Sequence, residues 1–362
     1  MNRPLGEARI GYAGYSADFR HPGDRRRFSA YAEQKGLAYE RADIAKNYDL
    51  VLVTHNGDLP GWTARKRREG GRLKFVFELV DSYFVSSGGK RRFLKGLGRR
   101  ALGTDSRLSA DFMKTLIGAS EAADAVICST EEQRGTIRRY NPNVFLSFDW
   151  FGGDLGAPKA DYTRGDRLRI VWEGQAVTLE NLLALREPLN GLRDRIEIHV
   201  VTDPVLRRYF GRFGATDSRG ILNGIEAPIV FHPWERETFS KLITSSDLAV
   251  IPIDTAQAMM RGKPENKLVL LWQLGMPVLT SATPAYERAM AAAGLDMVCR
   301  SESEWRAQLE RMIEAPAEAL AAIGAKGRVH ALEAYSTEEF QRRFDAVFRT
   351  VGFDPPTSLR GA

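Results

Sequence analysis

An alternation runs nearly the length of the chain and constrains its fold more than any other feature. Short apolar runs rich in β-branched residues are separated by longer amphipathic stretches. Apolar runs of strand length without polar alternation are buried on both faces, and helical patterns between them supply the crossovers that parallel strands require. The pattern therefore predicts βαβ units and an α/β fold built on parallel sheets. In the first part the strand-like runs are Ala8–Tyr12, Leu50–Thr54, Leu73–Val80, Ala125–Ser129 and Val144–Phe148. A helix is expected over Asp24–Gln34, stopped by Gly36, and Thr130-Glu-Glu-Gln133 has the capping-box pattern of a helix start.

A polar, glycine-containing stretch from Phe151 to Arg167 reads as a linker, after which the alternation restarts. Strand-like runs follow at Leu168–Glu173, Ile196–Thr202, Ile229–His232, Leu248–Asp254, Pro277–Ser281 and Met297–Cys299. Helical stretches lie around Leu179–Leu189, Glu235–Ser245, Asn266–Leu274, Ala285–Ala293 and Ser303–Glu314, and two longer ones at Pro316–Tyr335 and Thr337–Val351 close the chain. The expected division is a first domain over 1–150, a linker over 151–167, a second domain over 168–335 and a terminal helix with tail over 336–362. Two Rossmann-like, doubly wound domains facing across a cleft fit this order. At 362 residues and 43% hydrophobic content, each can bury a core of its own.

Composition narrows the classes further. Lysine and arginine number 52 against 46 acidic residues, a surplus of +6 that hints at an anionic partner. The two cysteines, Cys128 and Cys299, sit in apolar runs and read as reduced core thiols. The N-terminal stretch has no apolar signal core, and no apolar run approaches the ~18 residues of a spanning helix. A cytoplasmic protein is expected, with peripheral contact at the inner face of a membrane left open. The histidines His21, His55, His199, His232 and His330 are scattered without metal-ligand spacing, so no metal site is expected. His199, inside an alternating strand, reads as structural.

In open α/β sheets ligands bind beyond the carboxyl ends of the strands, so those residues are the candidates. After the first strand come Gly14, Tyr15, Asp18 and His21, without the spacing of a dinucleotide fingerprint. His55 and Asp81 follow the next strands, where each can serve as a general base or as a hydrogen-bonded structural group. In the second domain, Gly174 and Gln175 follow Leu168–Glu173, and Trp234 follows Ile229–His232 with a ring suited either to a nucleobase or to packing. The densest segment is Arg261-Gly-Lys263-Pro-Glu265-Asn266-Lys267 at the start of an apolar helix. Cations at a helix start oppose its dipole, so their placement suits a bound pyrophosphate better than it suits stability. Two basic stretches remain, Arg65–Arg68 and Lys90–Arg100. The second interleaves Phe93, Leu94 and Leu97 and suits either a solvated face or an anionic membrane or lipid-pyrophosphate acceptor. No nucleic-acid motif accompanies them.

Three stretches resemble GT-B-fold glycosyltransferases of the broad group 4 kind that builds bacterial surface polysaccharides. They are Ala123–Ser129, Ile229–Pro252 and, most specifically, Lys263–Ser281. The resemblance implies a nucleotide-sugar donor held by the second domain, a glycan or lipid-linked acceptor held by the first, and metal-independent transfer with no cofactor beyond the donor itself. Carried onto this chain, Lys263 and Lys267 would neutralise the leaving diphosphate, and Asn266 would position it. Arg261, Glu265, Gly174, Gln175 and Trp234 complete the donor side, Gly14, Tyr15, Asp18 and His21 form the acceptor side, and His55 and Asp81 are the candidate bases. The family's paired glutamates are absent, since Leu270 and Gly262 occupy their positions. A sugar-nucleotide 2-epimerase and a non-catalytic binding protein on the same fold are the alternative readings.

Overall fold

The structure is a computed structural model describing residues 2–84, 111–152, 155–207 and 215–357. The expected segment Lys90–Arg100 lies outside these residues. The chain divides into two compact units. The first comprises residues 1–150 with Gly262–Pro264 and Ser336–Ala362, and the second comprises Phe151–Arg261 with Glu265–Tyr335.

The first unit holds a six-stranded sheet of β1 (Ile10–Ala13), β2 (Glu40–Arg41), β3 (Leu50–Thr54), β4 (Lys74–Leu79), β5 (Ala125–Cys128) and β6 (Val144–Leu146). Their order is β2-β1-β3-β4-β5-β6, every pairing parallel. Every residue of β3 is buried, as the unbroken Leu-Val-Leu-Val run demands of a central strand. Val51, Val53, Phe75, Phe77 and Leu79 form the heart of the core. Helix Thr337–Thr350 belongs to this unit. Its buried Phe340, Phe344, Val347 and Phe348 fall on one helical face, and Phe344 stacks on Tyr31 at 5.0 Å.

The second unit holds β7 (Leu168–Glu173), β8 (Ile196–Thr202), the antiparallel hairpin β9 (Val205–Arg207) and β10 (Ala215–Asp217), then β11 (Ile229–Pro233), β12 (Leu248–Ile251), β13 (Val278–Ser281) and β14 (Val298–Cys299). Its main sheet is parallel and six-stranded, in the order β11-β8-β7-β12-β13-β14. Helix Asn266–Gln273 buries Leu268 through Trp272 and stops at Gly275, whose φ of +74° suits a residue without Cβ.

Several expectations are corrected. The helix expected over Asp24–Gln34 is two short ones, Pro22–Arg25 and Phe28–Gln34, because Asp24 and Arg27 turn into the protein as described below. Helices Leu59–Glu69 and Phe112–Ala122 carry no strong sequence signal. The stretch after Phe151 is not a free tether, since Lys159 N bonds Leu274 O at 2.8 Å and Tyr162 Oη bonds Gly275 O at 2.7 Å within the second unit. The basic run Arg65–Arg68 is half structural. Lys66 Nζ donates to Leu73 O (2.7 Å), Gly70 O (2.9 Å) and Asp124, while Arg65 donates to Ile44 O (2.7 Å) and Glu69 (2.7 Å). Both are buried with their donors occupied, so only Arg67 and Arg68 of this run face solvent.

Candidate functional site

In the first unit, β1 ends at Ala13 and the chain turns through Gly14–Asp24. Asp24 organises this turn. Its fully buried carboxylate accepts from Tyr15 N (2.7 Å), Ser16 N (2.9 Å), Ser16 Oγ (3.0 Å) and Tyr12 Oη (2.8 Å). A Cβ on Gly14 would lie 2.3 Å from Asp24 Oδ1, so this position excludes any side chain. The turn lays Tyr15 on His21 (5.2 Å, 17° between rings) and sets it edge-on to His55 (5.3 Å, 73°). His55 in turn meets Tyr83 at 4.5 Å. Three residues picked from sequence, Tyr15, His21 and His55, therefore form one aromatic row beyond the strand ends, with Tyr83 extending it. His21 Nδ1 also accepts from Gly23 N at 3.0 Å, capping the short helix behind it, and burial lowers its pKa. Asp18 stands apart, exposed, with the Arg20 amide holding its carboxyl below the usual range.

Asp81 follows β4 by two residues, and burial pushes its carboxyl above the ordinary range. The charge of Lys263 opposes that rise most strongly. Lys263 belongs to the Gly262–Pro264 tripeptide grouped with this unit, where Ser82 Oγ donates to Gly262 O at 2.7 Å. An elevated carboxyl beside a cation is suited to taking a proton from a bound hydroxyl.

Sequence reasoning missed the pair beneath this row. Arg27, fully buried, donates through Nε to Glu78 Oε1 at 2.6 Å and through Nη1 to Asp149 Oδ1 at 3.3 Å and Ser129 Oγ at 3.4 Å. Burial works against the Arg27 charge, but Glu78 and Asp149 hold the guanidinium protonated. The signal was present: Glu78 interrupts the apolar run Lys74–Leu79, and a carboxylate in a strand buried on both faces needs a paired cation.

In the second unit, Lys267 opens helix Asn266–Gln273, yet its ammonium lies at the carboxyl end of β7. It donates to Glu173 O, lies 3.8 Å from Glu173 Oε2 and sits 5.1 Å from the centroid of the Trp172 ring. Burial lowers its pKa and Glu173 counters this. Gly174 makes the approach possible, since a Cβ there would lie 2.6 Å from Lys267 Nζ. Gln175 follows, exposed at the start of the 3-10 helix Ala176–Leu185. Other expected donor residues are engaged elsewhere. Trp234 stacks on Phe239 at 5.5 Å, in keeping with the packing role. Glu265 accepts from Tyr335 Oη at 2.9 Å. Arg261 is exposed, Asn266 is half-buried at the helix start, and Leu270 is buried in the core.

The histidines are less scattered than their spacing implies. Parallel pairing of β8 with β11 brings His199 Nδ1 to 3.0 Å from His232 Nε2, and His199 Nε2 lies 2.8 Å from Glu197 Oε1. Both cysteines are buried thiols, and burial pushes each up to about 12. Among the described residues no helix is long and apolar enough to cross a membrane.

No protein-family model matches the sequence, and no curated protein matches it at the sequence level. Solved structures do match in fold. HepE of Anabaena, solved with UDP and glucose, superposes with a TM-score of 0.60 at 12% identity, covering 93% of this chain and 98% of that one. WaaG, a glycosyltransferase involved in lipopolysaccharide biosynthesis, superposes with a TM-score of 0.56 at 13% identity, covering 95% and 100%. TarM superposes with a TM-score of 0.58 at 14% identity over 83% of this chain, which spans only 54% of TarM. Two parallel six-stranded Rossmann-like sheets shared with these proteins define the fold as GT-B.

Proposed function

We propose that the chain is a glycosyltransferase, moving a sugar from a nucleotide-sugar donor to a glycan or lipid-linked acceptor in surface polysaccharide synthesis. The observation that carries this reading is Lys267, whose ammonium lies at the end of β7, where the absence of a side chain on Gly174 makes room for it. Transfer needs a stabilised leaving group and a positioned acceptor hydroxyl. Lys267 serves the first need with Asn266 beside it in the helix, Lys263 is a further candidate from the sequence pattern, and on this reading no divalent metal is required. For the second, the row Tyr15–His21–His55 offers an acceptor platform, and Asp81 is the base if the reaction inverts configuration. The donor side otherwise comprises Gly174, Gln175, Trp234, Arg261 and Glu265, and the acceptor side Gly14 and Asp18. The segment Lys90–Arg100 suits peripheral attachment to an anionic membrane, where each basic residue contributes about 1 kcal/mol.

The deciding experiment incubates the full chain with a panel of radiolabelled nucleotide-sugars, with and without membrane extract as acceptor source. Label moving onto the acceptor fraction, undiminished by chelator and reduced at least tenfold in Lys267→Ala, supports the reading. Conversion of donor to an isomeric sugar without acceptor establishes the epimerase instead. Failure of every donor to bind leaves the non-catalytic reading.

A further inference from the structure

Doubly wound units receive anions beyond the carboxyl ends of their strands, on the backbone amides of the turn that follows. In the first unit the chain itself supplies the anion. Asp24 Oδ1 accepts from Tyr15 N at 2.7 Å and from Tyr12 Oη at 2.8 Å, and Oδ2 accepts from Ser16 N at 2.9 Å and from Ser16 Oγ at 3.0 Å. Ser16 Oγ also accepts from His21 N at 3.1 Å, which leaves its own proton for Asp24. The carboxylate fills the space that a Cβ on Gly14 would need, and the whole residue is buried. Local capping does not account for this placement. The short helix Pro22–Arg25 is capped by His21, and the Asp24 carboxylate reaches back to amides eight and nine residues earlier. Two successive amides, a hydroxyl and a phenol around two oxygens make a full set of ligands for one carboxylate.

The charges behind the turn act in the same direction. The Arg27 guanidinium is divided between Glu78 and Asp149, so its charge is already matched. Burial pushes the Glu78 carboxyl up, Arg27 opposes the rise, and the charges of Asp149 and Asp24 add to it. A phosphate brought to this turn would find its donors engaged and three carboxylates nearby. We infer that Asp24 is a built-in anion that fits this strand end for an uncharged acceptor group, a sugar hydroxyl, and against a phosphate or a carboxylate. Asp24 is thus a specificity-determining residue that acts by occupying the turn and touches no reacting atom. Resting on the acceptor reading above, this adds the charge class of the group that meets the first unit beside Tyr15 and His21. Any phosphate that the acceptor carries binds away from this turn.

Two measurements on the full chain test it, using wild type, Asp24→Asn and Asp24→Ala. The first follows the Tyr15 and Ser16 amide resonances during titration with inorganic phosphate and with glucose 6-phosphate. Both amides should stay in place in wild type and in Asp24→Asn, whose side chain still fills the space. In Asp24→Ala they should move, at a concentration at least about tenfold below any that moves wild type, the scale of one hydrogen bond to a charged group. The second compares thermal melts in sodium formate and in sodium chloride at equal ionic strength. Formate replaces the deleted carboxylate, so it should raise the midpoint of Asp24→Ala above that in chloride and leave the other two proteins as chloride does. Should Asp24→Ala not fold unaided, its refolding yield in formate against chloride reads the same contact. Movement of the wild-type amides with either phosphate overturns the inference. So does formate acting on Asp24→Ala no better than chloride, or acting equally on all three proteins. Neither measurement needs turnover. Absence of label transfer therefore removes the acceptor reading while the anion result stands, and a failed rescue removes the role of Asp24 while label transfer stands.

Discussion

Replacing Gly174 by alanine isolates what the Lys267 ammonium does. The new methyl carbon would stand 2.6 Å from Lys267 Nζ and 3.0 and 3.1 Å from Trp172 Cη2 and Cζ2. The ammonium is the far end of a flexible side chain and can leave. Trp172 is buried in the core and can yield only a few tenths of an ångström. Overpacking of this size costs about 1 kcal/mol, and the loss of glycine's freedom in the unfolded chain returns some of it. Folding should therefore change little. Ligand binding should change much more, because the ammonium is pushed off the strand end. A charge-assisted phosphate contact is worth roughly 1.5–3 kcal/mol, or about 10- to 100-fold in affinity. Calorimetric titration with whichever nucleoside diphosphate binds wild type best, run beside thermal melts of each protein, gives both numbers. A cycle with Lys267→Ala sharpens the reading, since two changes acting through one group are not additive. The double variant should bind no more weakly than Lys267→Ala alone. Affinity within about twofold of wild type in Gly174→Ala, or fully additive losses in the double variant, would refute the reasoning.

Other outcomes follow from the same physics. Glu78→Ala leaves the Arg27 charge buried without its closest partner, so chemical denaturation should show a loss of about 3–5 kcal/mol, while Arg27→Met with Glu78→Leu recovers most of it. Phe344→Ala removes a fully buried ring stacked on Tyr31 and should cost about 3–5 kcal/mol in the same assay. Burial, with His199 beside it, lowers the pKa of His232, so the folded state binds its proton less readily than the unfolded chain does. Stability from this group is full above the unfolded value of about 6.5 and is lost as pH falls through the lowered folded value. His232→Asn should flatten the acid side of the stability profile, read from melts between neutral and mildly acidic pH, although His21 and His330 contribute in the same direction.

Much of the fold was legible because strands buried on both faces leave an unbroken apolar signature. The bounds of Leu168–Glu173 and Ile196–Thr202 agree with the structure to the residue. Helix Leu59–Glu69 was hidden because Arg65 and Lys66 fill inward positions with their charged side chains, which look like surface to any count of polarity. The expected helix at Leu179–Leu189 is instead a 3-10 stretch, Ala176–Leu185, followed by a short helix, Arg186–Gly191. Local propensity does not distinguish those two windings. Within the site, position after a strand was enough to find Tyr15, His21 and His55, because topology alone gathers such residues. It was not enough for Arg27 with Glu78, or for His199 with His232. The first pair depends on how the residue ahead of helix Phe28–Gln34 packs on β4, the second on β11 lying beside β8, and both are set by tertiary packing.

The membership of helix Thr337–Thr350 in the first unit has a consequence for biosynthesis. Phe28 and Tyr31 are covered in part by Phe344 and Phe348, and Tyr31 Oη and Lys35 Nζ both bond Asp345. These partners leave the ribosome roughly 200 residues after β6, a wait of about 10–40 s at ordinary elongation rates. Only towards the end of that interval has every residue of the second unit been made, and throughout it the first stands complete in sheet but bare along one aromatic flank. The order of completion is thus the reverse of the order of synthesis. A ribosome stalled before Phe340 would release a chain whose exposed rings make it a client for chaperones and proteases, however sound its second unit.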